Sequence, residues 1–125
     1  MDVAETLDKL RRDIGRCDLA VFVDLSTGMV LSSATGMPIP QEELDALSVV
    51  AQETLTGQIP ESAEGVTGAP QALQAVLMTS DAATVVQRAS PDRAEALVCV
   101  CGADIEIEDA IAHGRRALDQ ILASG

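Results

Sequence analysis

The spacing of hydrophobic residues along the chain predicts eight secondary-structure elements. In three segments apolar residues recur every three to four positions, which is the period of a helix with one buried face. In five shorter segments they alternate with polar residues or run without interruption, which is typical of strands. The predicted helices cover residues 3–14, 41–57 and 107–123, and the predicted strands cover residues 19–25, 29–33, 71–79, 82–89 and 94–101.

Short links and two wholly apolar segments predict the fold class. Links at 80–81 and 90–93 are short enough to make the last three strands antiparallel neighbours. The strand over 19–25 and the segment 97–101 are apolar on both faces, which places them at the centre of a sheet. We therefore expect an α+β fold (an α/β sandwich), with a five-stranded antiparallel sheet flanked by helices in the order α-β-β-α-β-β-β-α, as a single domain over residues 1–125.

Other parts of the chain are predicted to be more exposed. Polar residues in the third and fourth strands, Gln71, Gln74, Gln87 and Arg88, indicate that these two strands are less covered than the others. Residues 58–70 are rich in Gly, Pro, Ser and Glu and predict a loop between the second helix and the third strand.

A turn with one carboxylate lies within the stretch AVFVDLSTGMVLSS, residues 20–33. A phosphate-binding loop leads from a strand into a helix and contains several glycines, whereas this turn joins two strands and contains only Gly28. We therefore expect a three-residue hairpin loop with a bulge, closed by Gly28 in the left-handed conformation. Asp24 is then assigned to an Asx turn rather than to metal binding or acid–base chemistry.

The second predicted helix has apolar residues on two opposite sides. One stripe is expected to cover the sheet and contains Leu44, Leu47, Ala51 and Leu55. The other consists of Ala46, Val49, Val50 and Gly57. Small residues on this second side would let another helix approach closely, and the same helix of a second copy is a candidate partner. The alternative is that scattered Ala and Val are simply tolerated at a surface.

A glycine lies inside the apolar stripe of the last predicted helix. The stripe consists of Ile107, Ile111, Gly114, Leu118, Ile121 and Leu122. Glycine within a helix costs about 1 kcal/mol relative to alanine. We therefore expect Gly114 to lie in close contact with a neighbouring element.

Charge and composition narrow the classes of partner. The net charge of -12 argues against nucleic acid and against an anionic membrane surface. Phe22 is the only aromatic residue, so the chain has almost no side chains on which bases or flat cofactors could stack. No apolar run is long enough to span or insert into a membrane, and the first residues do not resemble a signal sequence. We expect a cytoplasmic protein without a cofactor.

The cysteines are the strongest candidates in the sequence for a metal-binding or catalytic site. Cys99 and Cys101 share one face of a predicted strand, and Cys17 with His113 would complete four metal ligands. The C-x-C spacing lacks the turn of C-x-x-C sites, so two small core residues are the simpler interpretation. We expect reduced, buried thiols, a solvated His113, no bound metal and no catalytic residues, since no catalytic motif is present.

With these elements in order, the chain resembles the Roadblock/dynein light chain family. Three stretches carry the resemblance, namely the opening helix and hairpin, the middle helix and the last hairpin: ETLDKLRRDIGRCDLAVFVDLSTGMVLSS, EELDALSVVAQETL and ATVVQRASPDRAEALVCVCG. The resemblance implies a Roadblock/profilin-like fold and a homodimer in which the middle helices pack together and the third strands meet edge to edge. The residues that this places in the dimer interface are Ala46, Val49, Val50, Glu53, Gly57, Leu73 and Ala75.

The same resemblance implies a function without catalytic residues. Prokaryotic members of the family commonly activate or co-regulate Ras-like small GTPases, and activating members reshape the GTPase site rather than donate an arginine. We therefore expect a regulator that is not itself an enzyme. The surface expected to contact the partner contains Glu42, Glu43, Asp45 and Gln52. Glu53 belongs either to this surface or to the dimer interface, where its charge would oppose packing.

Other functions stay open at this point. Eukaryotic members of the family serve in dynein or in lysosomal scaffolds, so a dimeric scaffold or adaptor subunit is the first alternative. A sensor module of the PAS or GAF type shares the mixed sheet but needs an aromatic-lined pocket. A thiol or metal enzyme would rest on Cys99 and Cys101.

Overall fold

The computed structural model describes residues 3–15, 17–36, 38–55, 74–89 and 93–124. These residues form three helices and five strands: α1 (Val3–Ile14), β1 (Cys17–Asp24), β2 (Met29–Thr35), α2 (Gln41–Leu55), β3 (Gln74–Met78), β4 (Ala82–Arg88), β5 (Glu95–Gly102) and α3 (Ile107–Ser124). The predicted order of elements is confirmed. The predicted loop over 58–70 and the adjoining ends of the predicted second helix and third strand lie outside the described residues.

The five strands form one antiparallel sheet in the order β2-β1-β5-β4-β3. The expected α+β fold is therefore confirmed. β1 and β5 lie in the interior of the sheet, as their unbroken apolar sequences predict. β2 and β3 are the two edge strands.

Helices cover both faces of the sheet and create two cores. On one face α1 and α3 pack against Ala20, Phe22, Leu97 and Cys99. On the other face α2 packs against a second set of buried residues that includes Leu19, Val21, Val23, Val86 and Val98. The alternation of neighbouring residues between the two cores explains why β1 and β5 are almost wholly apolar between their ends.

The predicted exposure of β4 is wrong. Gln87 and Arg88 are 1% and 5% exposed. β4 is an interior strand, so its side chains reach the helix layers rather than solvent. Gln87 Nε2 donates to the carbonyl of Ile111 at 2.9 Å, and Arg88 donates to the carbonyl of Leu55 at 3.3 Å and to that of Arg93 at 2.6 Å. Backbone carbonyls therefore satisfy these buried donors.

The close contact predicted for Gly114 is confirmed. A Cβ atom at this position would collide with Oε1 of Gln87 and would lie 3.0 Å from its Cδ and 3.4 Å from Cδ2 of Leu97. The absence of a side chain on Gly114 thus makes room for the buried Gln87 amide between α3 and the sheet.

The hairpin turn is one residue longer than predicted. Asp24 pairs with Met29, which leaves the four residues 25–28 in the turn, and the amide of Gly28 donates to the carbonyl of Asp24 at 2.8 Å. Gly28 has a φ of 76°, so the expected left-handed glycine is present. The bulge lies further back, between Phe22 and Val23. Leu25 is buried in the core beneath α2, which accounts for the longer turn.

Candidate functional site

Helix α2 buries one side and exposes the other, as its two apolar stripes predict. The buried side consists of Leu44, Ser48, Ala51 and Leu55, with Leu47 partly buried beside them. On the opposite side Ala46, Val49 and Glu53 are exposed and Val50 is half-buried. Val49 is 48% exposed, which is high for a valine in the middle of a helix. The outward position of these side chains is thus established, and their role in a dimer stays a prediction.

The edge strand β3 presents further apolar side chains beside α2. Ala75 pairs with Val86, which belongs to the core beneath α2, so Ala75 and Leu77 face the same side of the sheet as that helix. Leu77 is 40% exposed and Ala75 is half-buried. β3 pairs only with β4 among the described strands, so within the described ranges its other backbone edge is open.

These observations define one apolar surface, which we call the α2–β3 surface: Ala46, Val49, Val50, Ala75 and Leu77. It combines the exposed side of a helix with the open edge of a strand on the same side of the sheet. Leu77 was not predicted. The sequence did contain a signal for it, because Leu77 is an apolar residue on a strand that was expected to lie at the edge of the sheet. Of the other residues expected in this interface, Gly57 and Leu73 lie outside the described residues.

The exposed part of α2 is strongly negative. Glu42, Glu43, Asp45 and Glu53 are all exposed, and the helix contains no Lys or Arg. The first three lie near the helix N-terminus, where the helix dipole favours negative charge. The side-chain amide of Gln41 donates to Asp45 Oδ1 at 3.0 Å. A partner at this end of α2 would therefore meet carboxylates, which favour a cationic surface.

Gln52 has a role within the chain that the sequence did not reveal. Its Nε2 donates to the carbonyl of Leu25 at 2.8 Å, and Ser48 Oγ donates to the carbonyl of Gly28 at 2.8 Å. Both bonds tie the hairpin turn to α2. Gln52 is half-buried, so less of it is available to a partner than expected, and its contact with a partner stays a prediction.

The Asx turn predicted for Asp24 is confirmed. The backbone amide of Ser26 donates to Asp24 Oδ1 at 2.8 Å, and the Ser26 hydroxyl donates to the same oxygen at 2.5 Å. Both bonds favour the charged carboxylate and so hold the pKa of Asp24 below its usual value, and the bond from the hydroxyl has the larger effect. The accepting oxygen of Asp24 and both donors of Ser26 belong to the same turn. Asp24 therefore has the structural role that the sequence predicts for it.

The three cysteines form a buried group of free thiols, as predicted. Cys17, Cys99 and Cys101 lie in the core beneath α1 and α3, and Cys17 pairs with Cys101 across the sheet. Hydrogen bonds from Cys101 and Cys99 lower the pKa of Cys17. Hydrogen bonding to Cys17, followed by burial, raises the pKa of Cys99 and of Cys101. Cys17 is thus the thiol most easily ionised.

This arrangement predicts slow and ordered alkylation of the thiols. We expect iodoacetamide to modify the folded protein far more slowly than the protein unfolded in guanidinium, because all three thiols are buried. Cys17 is expected to react first, and mass spectrometry of digested samples would identify the order. Rapid modification of Cys99 or Cys101 in the folded protein would contradict this and would favour a reactive thiol site.

His113 is less exposed than the sequence predicts. Its side chain is 22% exposed, and its Nε2 lies 3.6 Å from Asp109 Oδ2. It borders a small cleft between α1 and α3 that also contains Lys9 and Asp13. The packing of α1 on α3 covers this position, although it lies off the buried stripe of its own helix.

Metal-binding clusters and membrane-spanning helices are both absent from the described residues. No three His, Cys, Asp or Glu side chains within the described ranges are grouped so that they could hold a metal ion. None of the described helices combines the length and the hydropathy that a membrane span requires.

This chain is similar to known proteins in structure but matches none of the family models or curated proteins in sequence. A Roadblock/LC7 domain from Streptomyces avermitilis is 14% identical, with a TM-score of 0.79 over 99% of this chain and 98% of the other. The gliding protein MglB from Thermus thermophilus is 21% identical, with a TM-score of 0.76 over 98% and 90%. Myxococcus xanthus MglB is 16% identical, with a TM-score of 0.74 over 98% and 96%.

These likenesses extend over nearly the whole chain, and profilins share the same arrangement of sheet and helices. At such low identities they establish the fold and not the activity. The resemblance inferred from the sequence is confirmed at the level of the fold: the chain has the Roadblock/profilin-like α+β fold, and its structure is similar to those of Roadblock/LC7 domain proteins.

Proposed function

We propose that the chain is a non-catalytic, homodimeric regulator of a Ras-like small GTPase. The α2–β3 surface is the observation that carries this proposal. Its exposed valine and leucine side chains and the open edge of β3 lie on one side of the sheet, where a second copy would cover both. Pairing of two β3 strands would join the sheets, and packing of two α2 helices would bury Val49 and Val50.

The regulatory role is supported by the fold and by the charge of α2. The Roadblock resemblance implies small-GTPase regulation for prokaryotic members, and MglB proteins are among the structures that share this fold. The carboxylates of Glu42, Glu43 and Asp45 are exposed at the N-terminal end of α2. In the proposed complex they contact the cationic part of the GTPase surface, and the bound dimer changes the conformation of the nucleotide site.

Nucleotide-dependent capture is the experiment that tests this function. The immobilised protein is exposed to lysate of the source cell with either a non-hydrolysable GTP analogue or GDP, and retained proteins are identified by mass spectrometry. We expect a small GTPase to be retained with the GTP analogue and not with GDP. The purified GTPase is then expected to hydrolyse GTP faster when the protein is added.

Two double variants test whether the carboxylates of α2 contribute to capture of the GTPase. Glu42→Gln with Asp45→Asn is expected to weaken capture of the GTPase, whereas Asp81→Asn with Glu106→Gln removes the same charge elsewhere and should leave capture unchanged. Retention of no GTPase in either nucleotide state would contradict the regulatory function. Retention of a second Roadblock chain or a motor component instead would favour the scaffold alternative.

A further inference from the structure

Two free thiols face each other across the centre of the sheet, one at the start of β1 and one near the end of β5. Cys17 pairs with Cys101 in the register of these antiparallel strands, and both side chains lie in the core beneath α1 and α3. Directly opposed residues of antiparallel strands have Cα atoms about 4.5–5.5 Å apart, and disulfides span about 4.4–6.8 Å. The backbone therefore accommodates a bond between these two sulfur atoms.

Cys99, the third thiol of this core, is less well placed to bond with Cys17. It lies in the same core as Cys101 but pairs with Ala20. Cys99 is thus a diagonal neighbour of Cys17, and such neighbours are about 7–8 Å apart, beyond the reach of a disulfide without movement of the backbone. The register of the strands therefore favours Cys101 over Cys99 as the partner of Cys17.

Cys17 is also the thiol that a small oxidant would reach first. Its side chain is 5% exposed, whereas Cys99 and Cys101 are each 1% exposed. Hydrogen bonds from Cys101 and then from Cys99 lower the pKa of Cys17, and the nearby charge of Arg11 acts in the same direction. The thiolate, and not the thiol, is the form that attacks peroxides. The most accessible of the three thiols is thus the one that ionises most easily.

We propose that Cys17 and Cys101 form a site of reversible oxidation by hydrogen peroxide. The Cys17 thiolate attacks one peroxide oxygen, the O–O bond breaks, and Cys17 becomes a sulfenic acid while hydroxide leaves and takes up the proton that Cys17 released. The Cys101 sulfur then attacks the Cys17 sulfur, and the S–O bond breaks. The hydroxyl group leaves as water with the proton of Cys101. Two thiols and one peroxide give one disulfide and two waters, and a thiol reductant reverses the change.

The bond would fasten the first residue of β1 to the central strand β5 and close a loop of about 85 residues. Closing a long loop stabilises a folded chain mainly by restricting its unfolded state. We therefore expect the oxidised protein to unfold at a higher guanidinium concentration than the reduced protein. The proposal goes beyond the proposed function, because it concerns the core beneath α1 and α3 and requires neither a dimer nor a GTPase.

Mass spectrometry of the folded full-length protein after treatment with hydrogen peroxide tests the proposal. We expect a product that is lighter by two hydrogen atoms and that dithiothreitol converts back. Oxidation of the exposed Met29 and Met78 adds oxygen atoms and is not reversed by dithiothreitol, so the two reactions are distinguishable. Cys101→Ala should abolish the lighter product, whereas the matched control Cys99→Ala should form it as the parent protein does.

Linked peptides identify the bond. Trypsin cleaves between Cys17 and Cys99 but not between Cys99 and Cys101, because no Lys or Arg separates the last two. In Cys99→Ala each of the linked peptides contains a single cysteine, so this variant assigns the bond even if Cys101→Ala does not fold.

Any of three results would overturn the proposal. The first is a disulfide that persists in folded Cys101→Ala. The second is a sulfinic acid at Cys17, or a bond between two chains, in place of the internal disulfide. The third is an unchanged mass of the folded protein under conditions that oxidise the protein unfolded in guanidinium. The GTPase capture is carried out with reduced protein, so its outcome is independent of this test.

Discussion

Replacing Val50 with glutamate is expected to convert the proposed dimer into a folded monomer. Val50 is half-buried on the outward side of α2, where two copies of the helix would meet. In the dimer the new carboxylate would be buried without a counter-charge, and breaking an interface in this way costs several kcal/mol. Light scattering should report half the mass of the parent protein, while circular dichroism and thermal unfolding should still show a folded chain.

Two other substitutions make this result specific. Val49→Glu introduces the same charge at a side chain that is already 48% exposed, so it should disrupt the dimer with little effect on folding of the monomer. Met29→Glu adds a carboxylate at another exposed apolar residue, on the edge strand β2 away from the α2–β3 surface, and should leave the dimer intact. A dimeric Val49→Glu protein would show that the copies do not meet through α2.

The parts of the structure that local patterns determine were predictable from the sequence. The two stripes of α2 follow from helical periodicity, since residues three and four apart share a side. The Asx turn at Asp24 needs only residues within the turn, and the glycine at position 28 follows from the backbone conformation that such a turn requires. The close contact at Gly114 was predictable as well, although its partner was not. Glycine destabilises the interior of a helix, so a glycine inside a buried stripe indicates that a neighbouring element leaves no room for a side chain.

Features that depend on distant partners were not predictable in the same way. Gln87 and Arg88 have the composition of an exposed strand, yet they are buried because β4 lies between β5 and β3. Two of their hydrogen-bond partners, the carbonyls of Ile111 and Leu55, are more than twenty residues away in the sequence. No periodicity encodes which carbonyl a long polar side chain will reach. The bonds from Ser48 and Gln52 to the hairpin turn escaped prediction for the same reason.

Each side of α2 therefore has a different task in the proposed function. The inner side fixes the helix to the sheet and, through Ser48, to the hairpin turn. The outer side is the proposed contact between copies.

Replacing Gly114 with alanine is expected to destabilise the protein, although alanine is the better helix former. On an exposed helical surface this change would stabilise by up to about 1 kcal/mol. Here the added methyl group would collide with the buried amide of Gln87, which Ile111 and the surrounding core hold in place. Overpacking of this kind costs about 1–3 kcal/mol, and denaturant unfolding of the variant should show a corresponding loss.

A double-mutant cycle separates the collision from any general effect on α3. Gln87→Ala removes the amide that occupies the space above Gly114, at the cost of its hydrogen bond to Ile111 and some packing. In that background Gly114→Ala is expected to be neutral or stabilising, because the methyl group enters the vacated space and the helical preference for alanine is then expressed. The two substitutions should therefore couple favourably. If Gly114→Ala costs the same free energy of unfolding in both backgrounds, the glycine is required by something other than Gln87.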